Sequence, residues 1–433
     1  MTPYYHSAAK LVPLYLAALL HASVAAPPKT TTPDDAAETT PGRVALARAL
    51  ELALSRNPRL SAGAASVRAA EARQHQAAML PNPELEAEVE DVGLTGEERG
   101  FDASIYTLRV EQTLELGEKR EKRRRAAAVQ TDIAAWHLRS TRLDLIAEVK
   151  VRFIDLLAAQ ERLRVVEASH ELGRKVRNTA AERVKSGKVA ALELTKANVE
   201  LTGRRVELRR AERQLASAQT ALAALWNATP ANAASLRAEG TLLQVPELPD
   251  RAALEARLGG SPELARCESE EDLALAVVAR EKAVRIPDVT LSAGISHERD
   301  SGNERALLAV SLPLPLFDRN QGNIAAARAE VDRAREKRRA TEVQLRAELA
   351  GQWQQLQTAL QETTAIRKDM LPGALEAFAA AEEAYRSGKL EYLDVLDAQE
   401  TLFEAEMQLL DALTALHQTL TAIERLVGGG LRE

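Results

Sequence analysis

Few residues in this chain have the types and spacings that covalent or metal chemistry needs. There is one cysteine, Cys267, and seven scattered histidines with no CxxC or HxxxH pair, so neither a redox couple nor a metal-ligand set is spelled out. No nucleophile, base and orienting group recur together and no phosphate-cradling glycine loop occurs, which leaves no cofactor and no enzyme to argue for. The chemistry on offer is electrostatic and comes in clusters. Glu84, Glu86, Glu88 and Glu90 alternate with Leu85, Ala87 and Val89, and Glu111 and Glu115 share a parity with Arg109 a little further on. Gly117 to Arg125 carries six cations, Lys119, Arg120, Lys122, Arg123, Arg124 and Arg125. Asp394 and Asp397 lie three residues apart, a spacing that brings two helical side chains together. They read either as acids solvated near a helix start or as a pair that holds cations, and the residues alone leave both open.

The surroundings narrow the setting of these clusters. Residues 1–26 have a weakly basic start ending at Lys10, an apolar run from Leu11 to Leu20 and the small residues Ala22 to Ala26, the layout of a cleaved secretory signal. The apolar run is half the length of a membrane-spanning helix, and no later stretch approaches it. Lipidation needs a cysteine directly after the cleavage site, and Cys267 is far downstream. The mature chain is therefore expected to start near Ala26 or Pro27, unlipidated, with residues 27–42 as a flexible leader. With 57 Lys and Arg against 63 Asp and Glu, the net charge of -6 argues against nucleic acid as the partner of the basic run. That run is left to anionic headgroups or to water.

The elements that position the clusters are written twice. Val184 to Asn227 aligns without gaps on Tyr385 to Gly428 with 12 identities in 44 positions, and Ser186-Gly187-Lys188 falls on Ser387-Gly388-Lys389. Asn57-Pro58 falls likewise on Ser261-Pro262. This divides the chain into a first repeat, 43–230, a linker, 231–250, a second repeat, 251–428, and a tail, 429–433. Each repeat contains two alternating segments, about 84–92 and 104–116 in the first and 289–297 and 306–316 in the second, with the length of tilted bilayer-spanning strands. Elsewhere the period is helical. About 118–185 reads as one helix of roughly 100 Å, and Leu194, Leu201, Leu208, Leu215 and Leu222 form a heptad repeated by Val395, Leu402, Leu409, Leu416 and Ile423. Gly173 and Pro372-Gly373 interrupt the long helices as bends or as hinges.

Four strands cannot close a barrel, and an open edge is not tolerated in lipid, so the barrel must be shared between chains. At this point the chain resembles the TolC-type outer-membrane factors over about residues 43–428. The segments that carry the likeness are Ser311-Leu-Pro-Leu-Pro-Leu-Phe-Asp-Arg-Asn-Gln-Gly322, similar to the heavy-metal efflux branch, and Tyr385 to Ala398. The resemblance implies a mainly α fold with a β-barrel portion: a homotrimer whose four strands per chain make a 12-stranded barrel in the outer membrane above an α-helical periplasmic tunnel. Its function would be that of a passive duct in a tripartite pump, taking substrates from an inner-membrane RND transporter and a periplasmic adaptor. Ser186 to Lys188 and Ser387 to Lys389 become adaptor-docking tips, and Asp394 and Asp397 a cation-binding gate. Tyr385 becomes part of a latch, although the expected basic partner is here Leu390. The glutamates become an acidic barrel lining, and Lys119 to Arg125 contact outer-membrane lipid. Metal cations are the expected substrate, with drug efflux, type I protein secretion and a periplasmic coiled-coil adaptor as the alternatives.

Overall fold

The computed structural model describes residues 42–95, 100–246 and 248–430. The expected export signal, the leader up to residue 41 and the last three residues of the tail lie outside the described residues. After strand β1 (Arg43–Ala45) come α1 (Leu46–Arg56), α2 (Pro58–Ala77), β2 (Glu84–Glu90), β3 (Ile105–Leu114), α3 (Lys119–Lys185) and α4 (Ala191–Ala223). A single turn, α5 (Pro230–Ala233), and β4 (Arg237–Glu239) lead into α6 (Arg251–Leu258), α7 (Pro262–Val284), β5 (Val289–Glu298) and β6 (Glu304–Ser311). The chain ends with α8 (Gln321–Ala365), α9 (Leu371–Arg386) and α10 (Tyr392–Leu426).

The long helix α3 runs unbroken for 67 residues. Both α2 and α4 pack along it, and Asn57 joins them. Its Oδ1 accepts from the Arg59 N–H at the start of α2, while its Nδ2 donates to the Leu225 carbonyl just past α4, at 2.8 Å. Ser261 caps α7 by accepting from the Leu264 N–H, and Gly428, just past α10, lies close to Pro262. Two shorter helices thus flank a long one in each repeat. The repeats differ at the prolines: α8 passes through a five-residue π segment, Ile366–Met370, before Pro372. A proline in mid-helix lacks an N–H and crowds the carbonyl four residues back, and a local widening relieves both. Gly173 makes no break in α3; it is buried, and a Cβ added there would stand 3.8 Å from the Arg204 side chain and 3.9 Å from that of Leu201.

Four strands form one antiparallel sheet in the order β2-β3-β5-β6. Leu85 pairs with Val110, Val110 with Ala293 and Ala293 with Leu308; Ala87, Leu108, Ile295 and Ala306 form the next row. One apolar face therefore crosses all four strands, and it is exposed: Leu85, Val110, Ile295 and Leu308 are 68%, 48%, 65% and 85% accessible. Gly294 stands opposite Arg109, and a Cβ there would lie 2.5 Å from the Leu108 carbonyl oxygen. The expected strands run past the observed ends in three of the four, by two residues at β3, which ends at Leu114. β2 stops at Glu90 because Asp91 turns to a φ of 57°, and β6 stops at Ser311, before Pro313 and Pro315, which cannot donate to a ladder. A second, parallel pair, β1 with β4, inserts Val44 and Ala238 into the main core; three-residue strands carry too little period to be seen in sequence.

The heptad is buried along α10, where Val395, Leu416 and Ile423 are fully covered. In the half of α4 nearest the Ser-Gly-Lys turn the expected leucines are only partly covered. The inward positions are Ala197, Arg204 and Ala211, because small side chains let α3 approach closely and the leucines are left flanking the contact. Arg204, 5% exposed, sits in the seam over the Phe403 ring at 5.0 Å and pairs with Glu200 at 2.9 Å and Glu207 at 3.6 Å.

Candidate functional site

The charged clusters occupy three places: the polar face of the sheet, the junction between sheet and helices, and the turns at the far end of the hairpins. On the sheet, Glu84, Glu86, Glu88 and Glu90 all lie on the face opposite the apolar rows, with Glu111 next to them through pairing with Glu84. Arg109 stands among them, bonded to Glu86 at 2.7 Å and Glu88 at 3.1 Å, and 3.7 Å from Glu111. This face is acidic in balance but carries a cation at its centre. Glu115 does not belong to it. β3 has ended by then, and the Glu115 carboxylate, 11% exposed, turns to Arg123 at 2.5 Å.

At the junction most of the six cations have partners within the chain. Lys119 pairs with Asp288 at 2.7 Å, Lys122 with Glu118 at 2.8 Å and Arg124 with Glu121 at 2.8 Å. Arg123, besides holding Glu115, donates to the Ala77 and Met79 carbonyls, and the Glu115 hydrogen bond raises its already high pKa. Arg120 and Arg125 remain exposed with no ion-pair partner among the described residues. Positive charge at a helix N-terminus opposes the macrodipole, and Glu118 and Glu121 offset part of it through these pairs.

At the far end, α3 and α9 both stop at a Ser-Gly-Lys turn. Gly187 and Gly388 take φ of 68° and 79°, which glycine adopts without a Cβ penalty. The Lys188 N–H then reaches the Arg183 carbonyl and the Gly187 N–H the Val184 carbonyl; Lys389 and Gly388 repeat this on Ala384 and Tyr385. Ser186, Gly187, Lys188, Ser387, Gly388 and Lys389 are all exposed, in two matched turns.

Tyr385 is buried, 2% exposed, rather than poised at a surface. A basic side chain does reach Tyr385, from the other repeat. The Arg183 guanidinium lies 4.4 Å over the Tyr385 ring and donates to the Tyr385 carbonyl at 3.3 Å. Tyr392 closes the other side edge-on at 6.4 Å between ring centres. Burial raises the pKa of both hydroxyls, that of Tyr392 to about 12, while the Arg183 charge opposes the rise at Tyr385. The Tyr385 hydroxyl and Glu193 Oε2 are buried without a hydrogen bond. Nothing in the spacing of Arg183 and Tyr385, 202 residues apart, announces this pair; only the repeat alignment, which sets Arg183 one position before the residue matched to Tyr385, hints at it.

Asp394 and Asp397 are both exposed on the first turns of α10. They are not equivalent. Asp394 is the third residue of the helix and closes a capping box, accepting from the Glu391 N–H at 2.9 Å while the Glu391 side chain accepts in return. Asp397 makes no such bond and offers its carboxylate outward.

An exposed apolar sheet face, long helical hairpins and paired exposed turns describe a known architecture, and comparison with other proteins identifies it. The Outer membrane efflux protein family matches residues 49–228 and 253–429. The chain belongs to that family. Among its relatives is the cobalt-zinc-cadmium resistance protein CzcC of Cupriavidus metallidurans, 36% identical over 388 residues that cover 89% of this chain and 90% of that one. The nickel and cobalt resistance protein CnrC of the same organism is 34% identical over 296 residues, 66% of this chain and 69% of the relative. Among solved structures, CusC, described for its transmembrane channel formation, superposes with a TM-score of 0.77 at 20% identity, covering 89% of this chain and 92% of that one. No helix among the described residues is long and apolar enough to cross a membrane.

Proposed function

We propose that this chain is the outer-membrane channel of a tripartite efflux pump, a passive duct that carries divalent heavy-metal cations from an inner-membrane RND transporter to the exterior. The observation that carries this reading is the four-stranded sheet with one exposed apolar face and two open edges, β2 and β6. Lipid covers such a face, and only a neighbour's edges can satisfy the open ones. Three copies of four strands give a closed ring of twelve, within the range of membrane barrels. The hairpins built on α3, about 100 Å long, then form the periplasmic tunnel, and the exposed turns at Ser186 to Lys188 and Ser387 to Lys389 meet a periplasmic adaptor.

Metal cargo is supported by the likeness to CzcC and CnrC and by the acidic balance of the sheet's polar face. A polar lining of this sign raises the local concentration of cations. The test has two parts. Purified full-length protein should be trimeric in mild detergent and conduct in planar bilayers with cation preference; a monodisperse monomer without conductance rejects the duct. Deleting the gene should sensitise the host to cobalt, zinc or cadmium salts. Sensitivity to antibiotics and dyes without metal sensitivity moves the cargo to the drug class.

A further inference from the structure

The segment Leu312-Pro-Leu-Pro-Leu-Phe-Asp-Arg-Asn-Gln321 links the end of β6 to α8 and takes no part in the duct described above. It builds a cleft of about 720 Å³ between the end of α7 and the start of α8. Asn320 fixes the geometry. With a φ of 58° it starts α8 from a left-handed turn, and its amide donates to both the carbonyl and the carboxylate of Glu281 at 2.8 and 2.9 Å. Asp318 and Gln321 hold the turn by accepting from the N–H groups of Asn320 and Arg319. Four cations line the cleft, Lys282, Arg285, Arg319 and Arg328, and all are exposed. None of the four has an ion-pair partner among the described residues. The matching junction of the first repeat differs: there Lys119, Lys122, Arg123 and Arg124 are already paired. The floor of the second-repeat cleft is apolar, with Leu316 64% and Phe317 91% exposed.

We propose that this cleft binds one anionic phospholipid at the periplasmic edge of the membrane, the four cations holding its phosphate and Leu316 and Phe317 its first acyl methylenes. Guanidinium groups suit phosphate oxygens, and unpaired cations beside exposed apolar side chains match an amphiphile in charge and in polarity. The proposal rests on the outer-membrane reading, because it needs the ends of β5 and β6 at a bilayer surface. It places lipid contact in the second repeat rather than at Lys119 to Arg125.

Full-length protein, delipidated in detergent and offered dioleoylphosphatidylglycerol or dioleoylphosphatidylcholine, can be examined by native mass spectrometry for retained lipid. The wild type should retain the anionic lipid in preference, and Arg319→Gln with Arg328→Gln should lower its retention about fivefold per removed cation. Arg319→Lys with Arg328→Lys should retain it nearly as wild type, and Arg120→Gln with Arg125→Gln should change nothing. Unchanged retention in the Gln variant, measured on a trimer that still conducts, overturns the lipid site and leaves the duct intact. Displacement by millimolar inorganic phosphate would mean a free-phosphate site instead. Loss of the trimer in the Gln variant, with the Lys variant intact, would mean that a neighbouring copy covers the cleft. A wild type that neither trimerises nor conducts would reject the duct itself.

Discussion

The two tip aspartates have different jobs, and substitutions can separate them. In the proposed three-fold assembly Asp394 and Asp397 would supply six carboxylates at a periplasmic entrance, but Asp394 also closes the capping box of α10 through the Glu391 N–H. Replacing both by alanine removes charge and cap together. Loss of a cap costs about 1 kcal/mol in each copy, which is about a fivefold rise in the fraction of frayed first turns. A wider pore in that variant could then come from a loosened helix start rather than from missing charge. Asparagine divides the effects, since its Oδ1 still accepts from Glu391 while its charge is gone. Asp394→Asn with Asp397→Asn should abolish block by multivalent cations added from the periplasmic side and leave protease cleavage at the Arg386 to Lys389 turn at its wild-type rate. Asp394→Ala alone should raise that cleavage about fivefold and weaken block only in part, because Asp397 remains. Asp397→Asn alone should weaken block without affecting cleavage. Planar-bilayer recordings and limited proteolysis on the same preparations give both readouts. Unchanged block in the double asparagine variant would remove cation capture from these residues.

Further outcomes follow from the buried groups. Arg204→Ala should loosen the hairpin by about 1 to 2 kcal/mol, reduced from a fully buried pair because Glu200 and Glu207 are partly exposed; Arg204→Leu, which restores an apolar seam residue, should be close to wild type in protease resistance. Tyr392 has its pKa raised from 10.0 to about 12. The folded state then holds a proton that the unfolded chain loses above pH 10, so this stabilisation is complete below pH 10 and disappears as pH rises towards 12. Tyr392→Phe should flatten that alkaline loosening, read by proteolysis across the same window. Gly294→Ala should lower the temperature at which the trimer dissociates in SDS gels, since overpacking against the Leu108 carbonyl costs about 1 to 3 kcal/mol per copy.

Where a period was long enough to count, the fold was legible. Alternation over Glu84 to Glu90 and Val289 to Ile295 gives strands and their faces, and the proline-free stretch before Lys185 gives α3 to within a residue. Ser-Gly-Lys gives both turns, because only glycine takes their positive φ at little cost. What failed to show was whatever depends on contact between distant segments. Val44 and Ala238 pair across almost two hundred residues in strands of three. Arg204 interrupts an otherwise apolar register and is inward only because Glu200, Glu207 and Phe403 receive it. Glu115 and Arg123 looked like members of two clusters and proved to be each other's partner.

Charge clusters were therefore visible in sequence, but their availability was not. A cation engaged by a carboxylate of its own chain cannot offer its full charge to a headgroup or an ion, since the pair must first be separated. By that measure the six-cation run at Lys119 to Arg125, the most conspicuous in the sequence, keeps only Arg120 and Arg125 unpaired among the described residues, whereas Lys282, Arg285, Arg319 and Arg328, dispersed over 47 positions, keep all four. The same measure ranks the tip acids. Asp394 spends one oxygen on a backbone N–H, Glu193 at the matching position of the first repeat has an oxygen buried beside Tyr385, and the Asp397 carboxylate has no partner among the described residues. Duplication supplied two junctions; pairing within the chain engages most of the cations of the first and, among the described residues, none of the four at the second.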